Sequence, residues 1–150
     1  MRSLDANILV YAHNKGSREH PAALLVLADL IANPRIWVLA DQVLFEFYRC
    51  IRNPLILAKP LSPADATAII EKLRNETGCS HCQYRDAEWP KVKAHLEAPD
   101  FPYRRTFDAV LATTLLAHGV DTLYTHNLKD FINYGFTRLV DPITGEEVVK

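Results

Sequence analysis

Five consecutive apolar residues, Ile36-Trp37-Val38-Leu39-Ala40, stand between two segments of helical periodicity, and no other feature constrains the fold as much. A strand that is apolar on both faces must be covered on both faces, which is the situation of strands in a parallel sheet flanked by helices. On the N-terminal side, His20-Pro21 opens a helix to about Ala32, with Pro in the first turn, where its missing N–H costs nothing. Leu24, Leu27, Ala28 and Ile31 share one face of it, and Asn33-Pro34 ends it. On the C-terminal side, Asp41 reads as the cap of a helix from Gln42 to about Arg52, stopped by Asn53-Pro54.

The rest of the chain repeats the alternation. Arg2 to Asp5 reads as a short strand and Asn7 to His13 as a helical turn, followed by a polar loop over Asn14 to Glu19. Ser62-Pro63-Ala64-Asp65 resembles a capping box ahead of a helix reaching about Thr77. Gly78 to Tyr84 reads as a strand, and Asp86 to Leu96 as a helix kinked or begun near Pro90. After a loop over Ala98 to Tyr103, a helix from Thr106 to His118 closes on Gly119, a favourable residue just past a helix end. Val120 to Thr125 is the next strand, Asn127 to Ile132 a loop or short helical turn, and Phe136 to Val140 the last strand. The reading is an α/β fold with a mostly parallel central sheet, and 150 residues suit one domain over 1–150.

Composition narrows the function classes. At 49% apolar and 23% charged the chain matches a globular protein, and no apolar run approaches the ~18 residues of a membrane span. The N-terminus lacks the pattern of a signal peptide, so the expected location is the cytoplasm. A net charge of -1 creates no global basic field, although a local basic rim can serve a small nucleic-acid site. Cys50, Cys79 and Cys82 are too few for a disulfide scaffold. Cys79-Ser80-His81-Cys82 has C-x-x-C spacing, but no second Cys/His pair completes a zinc set, and no helix opens there as in a redox motif. Partly buried free thiols are expected.

In sheets of this kind ligands gather at the carboxyl ends of the strands. Asp5 ends the first strand inside an otherwise apolar run, MRSLDANILVYAH, where an unpaired carboxylate costs several kcal/mol or more. Three more acids occupy equivalent places: Glu46 in QVLFEFYRC, Asp108 in TFDAVLATTLL and Asp130 in THNLKDF. Each has a plain alternative. Asp108 suits a helix N-terminus, Glu46 can pair with Arg49, or with Arg49 and Arg52 together, on one helix face, and Asp130 suits a turn. Together, converging carboxylates repel unless a cation neutralises them, and an all-oxygen set suits Mg²⁺ or Mn²⁺ better than zinc. The chemistry implied is metal-assisted phosphodiester hydrolysis, with one ion or two.

The succession LDANILVYA, VLFEFYR–NP, FDAVLATTLLAHGV and LYTHNLKDF, with the closing RLVDPI, resembles the PIN-domain ribonucleases, and within them the VapC toxins of toxin–antitoxin systems. The resemblance runs over essentially the whole chain. It implies a three-layer α/β/α sandwich, Mg²⁺- or Mn²⁺-dependent cleavage of RNA, a homodimer, and a cognate antitoxin occupying the active-site groove. Asp5, Glu46 and Asp108 match the family's metal-binding acids. The fourth acid falls in THNLKDF, where this chain departs from the common pattern, with Asn127 where an Asp often stands and Asp130 three residues later. Asn7 and Thr125 match the polar residues that support the acids. Arg49 and Arg104-Arg105 are candidates for phosphate or antitoxin contacts, with ion pairing to Glu46 the alternative for Arg49. His13 and His126 fall near the site with no role that the mechanism needs.

Three rival readings remain. A haloacid-dehalogenase-type phosphatase also begins with an Asp after its first strand but wants a second Asp two residues on, where this chain has Asn7. A non-catalytic acidic-pocket scaffold is the second. The third is a PIN nuclease acting in RNA processing without an antitoxin.

Overall fold

The computed structural model describes residues 1–150. Six short strands, β1 (Arg2–Leu4), β2 (Val38–Ala40), β3 (Ser80–Cys82), β4 (Thr122–Tyr124), β5 (Arg138–Val140) and β6 (Glu147–Val149), alternate with seven helices. The helices are α1 (Ala6–His13), α2 (His20–Ala32), α3 (Asp41–Ile51), α4 (Pro63–Asn75), α5 (Trp89–Leu96), α6 (Thr106–Ala117) and α7 (Leu128–Phe131). Strands β1, β4 and β5 pair in parallel, and β6 adds an antiparallel edge. Strands β2 and β3 form a second parallel pair, tied to β1 by one parallel bridge between Arg2 and Trp37. The strand order is therefore 3-2-1-4-5-6. Helices α1 to α4 pack on one another, as do α5 to α7. With the sheet between them, these layers form the expected α/β/α architecture.

The core is one continuous apolar cluster. Leu4, Leu39 and Leu123 from the three central strands meet Ile8 and Leu9 of α1, Leu44 and Phe47 of α3, and Leu111 and Leu115 of α6, all essentially inaccessible to water. Every residue of β2 is buried, as its unbroken apolar run requires. Trp37 is also fully buried, and its indole N–H donates to Asp29 Oδ2 at 3.1 Å, where Arg2 makes an ion pair at 2.9 Å. That pairing satisfies the indole N–H and anchors α2 against the start of β1.

Several boundaries differ from the sequence reading. The strand expected over Ile36 to Ala40 begins only at Val38, because Pro34–Ile36 forms a 3-10 turn. Asp41 is the first residue of α3 and not its cap: Ala40 holds the cap position, and the Asp41 carboxylate pairs with Arg74 of α4. At α4 the expected cap holds, since Ser62 Oγ accepts from the Asp65 N–H at 3.1 Å. Gly119, just past α6, takes φ +77°, the left-handed conformation that ends the helix cheaply. Strand β6 was not anticipated. It is reached through a tight turn in which the Asp141 carboxylate accepts from the N–H of Ile143 and the hydroxyl of Thr144.

Cys50, Cys79 and Cys82 are free thiols. Cys79 precedes β3 and Cys82 ends it, away from any helix start, and burial raises both thiols, Cys82 to about 12. They are packed groups with little thiolate character.

Candidate active site

The acids singled out in the sequence sit at the carboxyl end of β1 (Asp5), in the first two turns of α3 (Glu46) and α6 (Asp108), and in α7, which follows β4 (Asp130). Asp5 follows β1 directly and is 9% exposed. Its Oδ2 accepts from Thr125 Oγ1 and from Asn7 Nδ2, both at 2.9 Å. Asn7 reaches back because α1 starts at Ala6, and Thr125 arrives because β4 runs parallel to β1 in the register Leu4 to Tyr124. Both Asn7 and Thr125 therefore lie against Asp5. No Lys, Arg or His forms an ion pair with Asp5.

The electrostatics follow from that isolation. Burial, reinforced by the charges of Glu46 and Asp130, raises the Asp5 carboxyl from 3.8 to about 6 against the opposing hydrogen bonds. Asp108 also rises to about 6, chiefly through burial, then through Asp130 and Asp5, with Arg105 opposing. Asp5 and Asp108 thus each feel the charges of Glu46 and Asp130. The four acids do not close into a ready cage: no three His, Cys, Asp or Glu side chains are spaced to hold an ion by themselves. The donor set is all oxygen, and Mg²⁺ takes one or two carboxylates beside its waters, so the residues present fit a hydrated Mg²⁺ or Mn²⁺.

Glu46 is held by Gln42, whose Nε2 donates to Glu46 Oε1 and to the Phe107 carbonyl, each at 2.9 Å. This one amide ties the acid of α3 to the turn carrying Asp108. The sequence did not single it out, although its spacing four residues before Glu46 was visible. The alternative pairing of Glu46 with Arg49 or Arg52 is not formed: Arg49 is exposed, and Arg52 donates to the Tyr48 hydroxyl at 2.9 Å.

Structure also separates the two residues of THNLKDF. Asn127 is exposed, and its bond to the site runs from its backbone N–H to Thr125 Oγ1 at 3.0 Å. Asp130 is the one whose charge reaches Asp5 and Asp108, and it lies 3.5 Å from Arg105 Nε. Arg105 is fixed further by donating to the Lys129 carbonyl at 2.8 Å, while Arg104 is exposed. His13 bonds the Leu9 carbonyl and packs against Phe47, as a packing residue does. His126 bonds Asp141, a residue that the sequence reading left out; a contact 15 residues apart leaves no local signal.

Beside Glu46, Arg49 and Phe107 a groove of about 750 Å³ runs between α3 and α6. Phe45 and Phe107 project into solvent along it, each about two-thirds exposed.

The mostly parallel sheet, with the four acids near one end of it, is the arrangement that the resemblance to PIN domains leads one to expect. No family model matches the chain. Ribonuclease VapC24 of Mycobacterium tuberculosis is 35% identical over 146 residues, covering 97% of this chain and 99% of that protein. Ribonuclease VapC48 of the same organism is 26% identical over 144 residues, covering 95% and 98%. The chain belongs to the VapC ribonuclease family. Among solved structures, Mycobacterium tuberculosis VapC20, described as a Sarcin-Ricin loop cleaving toxin, aligns with a TM-score of 0.68 at 16% identity, over 91% of this chain and 96% of that one. VapBC2 from Rickettsia felis, bound to a promoter DNA fragment, aligns at 0.63 and 19% identity, over 93% and 98%.

Proposed function

We propose that this protein is a metal-dependent endoribonuclease and the toxin of a toxin–antitoxin pair, acting in the cytoplasm. The observation that carries the reading is Asp5: a buried carboxylate with two neutral hydrogen-bond partners, other acids around it and no cationic side chain paired with it. An acid so placed is neutralised by a proton or by a bound cation, and this reading assigns it a cation. In this reading Asp5, Glu46 and Asp108 would hold the hydrated ion, directly or through its waters, with Asp130 as the fourth acid and Asn127 outside the set.

Bound there, Mg²⁺ or Mn²⁺ supplies the Lewis acidity for phosphodiester hydrolysis. The chain's own residues do the positioning. Thr125 and Asn7 hold Asp5 by one oxygen and leave Oδ1 without a side-chain partner. Gln42 fixes Glu46 relative to the start of α6, and Arg105 restrains Asp130. Arg49 and Arg104, both exposed, are available to phosphates of an RNA strand.

VapBC2, and FitAB bound to DNA, are named as paired assemblies, which supports an antitoxin partner here. We assign the antitoxin segment to the groove beside Glu46, whose exposed Phe45 and Phe107 are the kind of apolar surface that a protein partner covers. A homodimer is expected from the family. Light scattering of the purified chain, alone and with the product of its neighbouring gene, tests both assignments.

The activity is tested by incubating a panel of structured RNAs with the protein in Mg²⁺, Mn²⁺ or EDTA. The reading expects cutting in either metal, none in EDTA, and none by Asp5→Asn or Asp108→Asn. Identical traces from wild type and both variants on every RNA overturn it.

A further inference from the structure

Next to the acids, on the side of Asp130, lies a second and smaller pocket of about 350 Å³, whose lining includes His126, Asn127, Lys129, Asp130, Asp141 and Glu146. Its wall is built with care at one point. His126 Nδ1 lies 2.8 Å from Asp141 Oδ2, and Asp141, only 3% exposed, is held in turn by the N–H of Ile143 and the hydroxyl of Thr144. The backbone N–H of His126 donates to Asn7 Oδ1 at 3.4 Å, and Tyr11 packs edge-on against the ring.

An ionised carboxylate only accepts, so in the neutral ring Nδ1 carries the proton and Nε2 is an acceptor. The imidazole is 31% exposed, so part of it remains open to the solvent side. Phosphate does not suit this pocket, since Asp130, Asp141 and Glu146 line it with Lys129 as the single cation. A neutral nucleoside suits it, because the lining offers acceptors from His126, Asp130 and Glu146 and donors from Asn127 and Lys129. RNA is recognised mainly through unpaired nucleotides splayed into such polar sites.

We propose that this pocket is a nucleoside subsite flanking the scissile phosphate, in which His126 Nε2 accepts a hydrogen bond from the nucleotide, from a base N–H or the ribose 2′-hydroxyl. The proposal rests on the ribonuclease reading above and adds where sequence preference comes from. Asp141 is the positioning residue that sets the tautomer and the ring plane.

His126→Asn separates substrate contact from scaffolding. The Asn amide can still donate to Asp141 in place of Nδ1–H, but nothing replaces Nε2. The experiment compares wild type and this variant on short RNAs differing at each position flanking the cut, including oligonucleotides with single 2′-deoxy or base-analogue substitutions. The proposal expects an unchanged melting temperature, little change in kcat, and KM raised roughly three- to tenfold, the share of one hydrogen bond in binding. The preference of wild type at one flanking position should shrink by the same factor. The substitution that costs wild type but not the variant identifies the donor, base or ribose. Equal KM and equal preference in the two proteins overturn the subsite, including the case in which the pocket takes an antitoxin side chain instead. If wild type cuts nothing, the ribonuclease reading fails separately, and anisotropy with the same labelled RNAs decides the subsite, equal binding by both proteins refuting it.

Discussion

Thr125 Oγ1 donates a 2.9 Å hydrogen bond to Asp5 Oδ2, joining the ends of β4 and β1 across 120 residues of chain. Both groups are buried, and this bond is the strongest of the influences that hold the Asp5 carboxyl down against the rise that burial imposes. Thr125→Val keeps the shape of the side chain and deletes the bond. We expect a loss of about 1–3 kcal/mol in urea unfolding at pH 7, where the carboxylate is charged, and a smaller loss near pH 4.5. A loss independent of pH would mean that the hydroxyl serves the backbone N–H of Asn127 more than Asp5.

The metal-free protein should lose stability as pH rises through the site's titration. Asp5 and Asp108 each have a folded value of about 6 against 3.8, so the folded state binds more protons than the unfolded state between those values. Their contribution is complete below about pH 4 and gone above about pH 6. For Asp5 the rise corresponds to about 3 kcal/mol at most, and for the half-buried Asp108 to less. Asp121, Asp141 and Glu147 are shifted downward and act in the opposite sense, so the difference between wild type and Asp5→Asn isolates the effect. In EDTA, Asp5→Asn should gain on wild type from pH 4 to pH 7, as followed by chemical denaturation. A flat difference would contradict the burial argument.

Asp130 and Asn127 should separate functionally. Asp130→Asn removes a charge that reaches Asp5 and Asp108, whereas Asn127→Ala removes an exposed side chain whose bond to the site is made by its backbone. Cleavage rates should fall at least tenfold in the first and less than threefold in the second, on the scale where 1.4 kcal/mol is tenfold. The reverse order would make Asn127 the fourth member of the site.

Asp141→Ala should be among the more damaging single changes outside the acid cluster. It leaves the Ile143 N–H, the Thr144 hydroxyl and the ring of His126 without their common acceptor, at about 2–4 kcal/mol in thermal or urea unfolding. A cost below ~1 kcal/mol would show that the turn leading to β6 holds without it.

How much of this was legible in the sequence depends on the range of the interaction concerned. Asp5 stood out because a charge inside an apolar run is a local contradiction, and Glu46 and Asp108 because they repeat it at the starts of helices. The alternation of strands and helices gave the architecture for the same reason, since periodicity is local. Asp41 was misplaced as a cap because its partner, Arg74, lies 33 residues away. Strand β6 is only Glu147–Val149 and pairs on an edge, leaving no alternation to detect. The choice between Asn127 and Asp130 turns on how one helical turn, α7, aims its side chains. Asp141 carries no signal of its own within RLVDPI, and only the approach of His126 gives it a role.

The most direct test of the central claim is calorimetric titration of the metal-free protein with Mn²⁺ at pH 6, in two buffers of different ionisation enthalpy. If the buried acids form a cation site, wild type binds Mn²⁺ and releases protons on binding, because carboxyls with values of about 6 are partly protonated there. Asp5→Asn and Asp108→Asn should bind at least tenfold more weakly. Binding that is absent from wild type, or equally strong in Asp5→Asn, would contradict the account: Asp5 would then be a buried acid without a cation to hold.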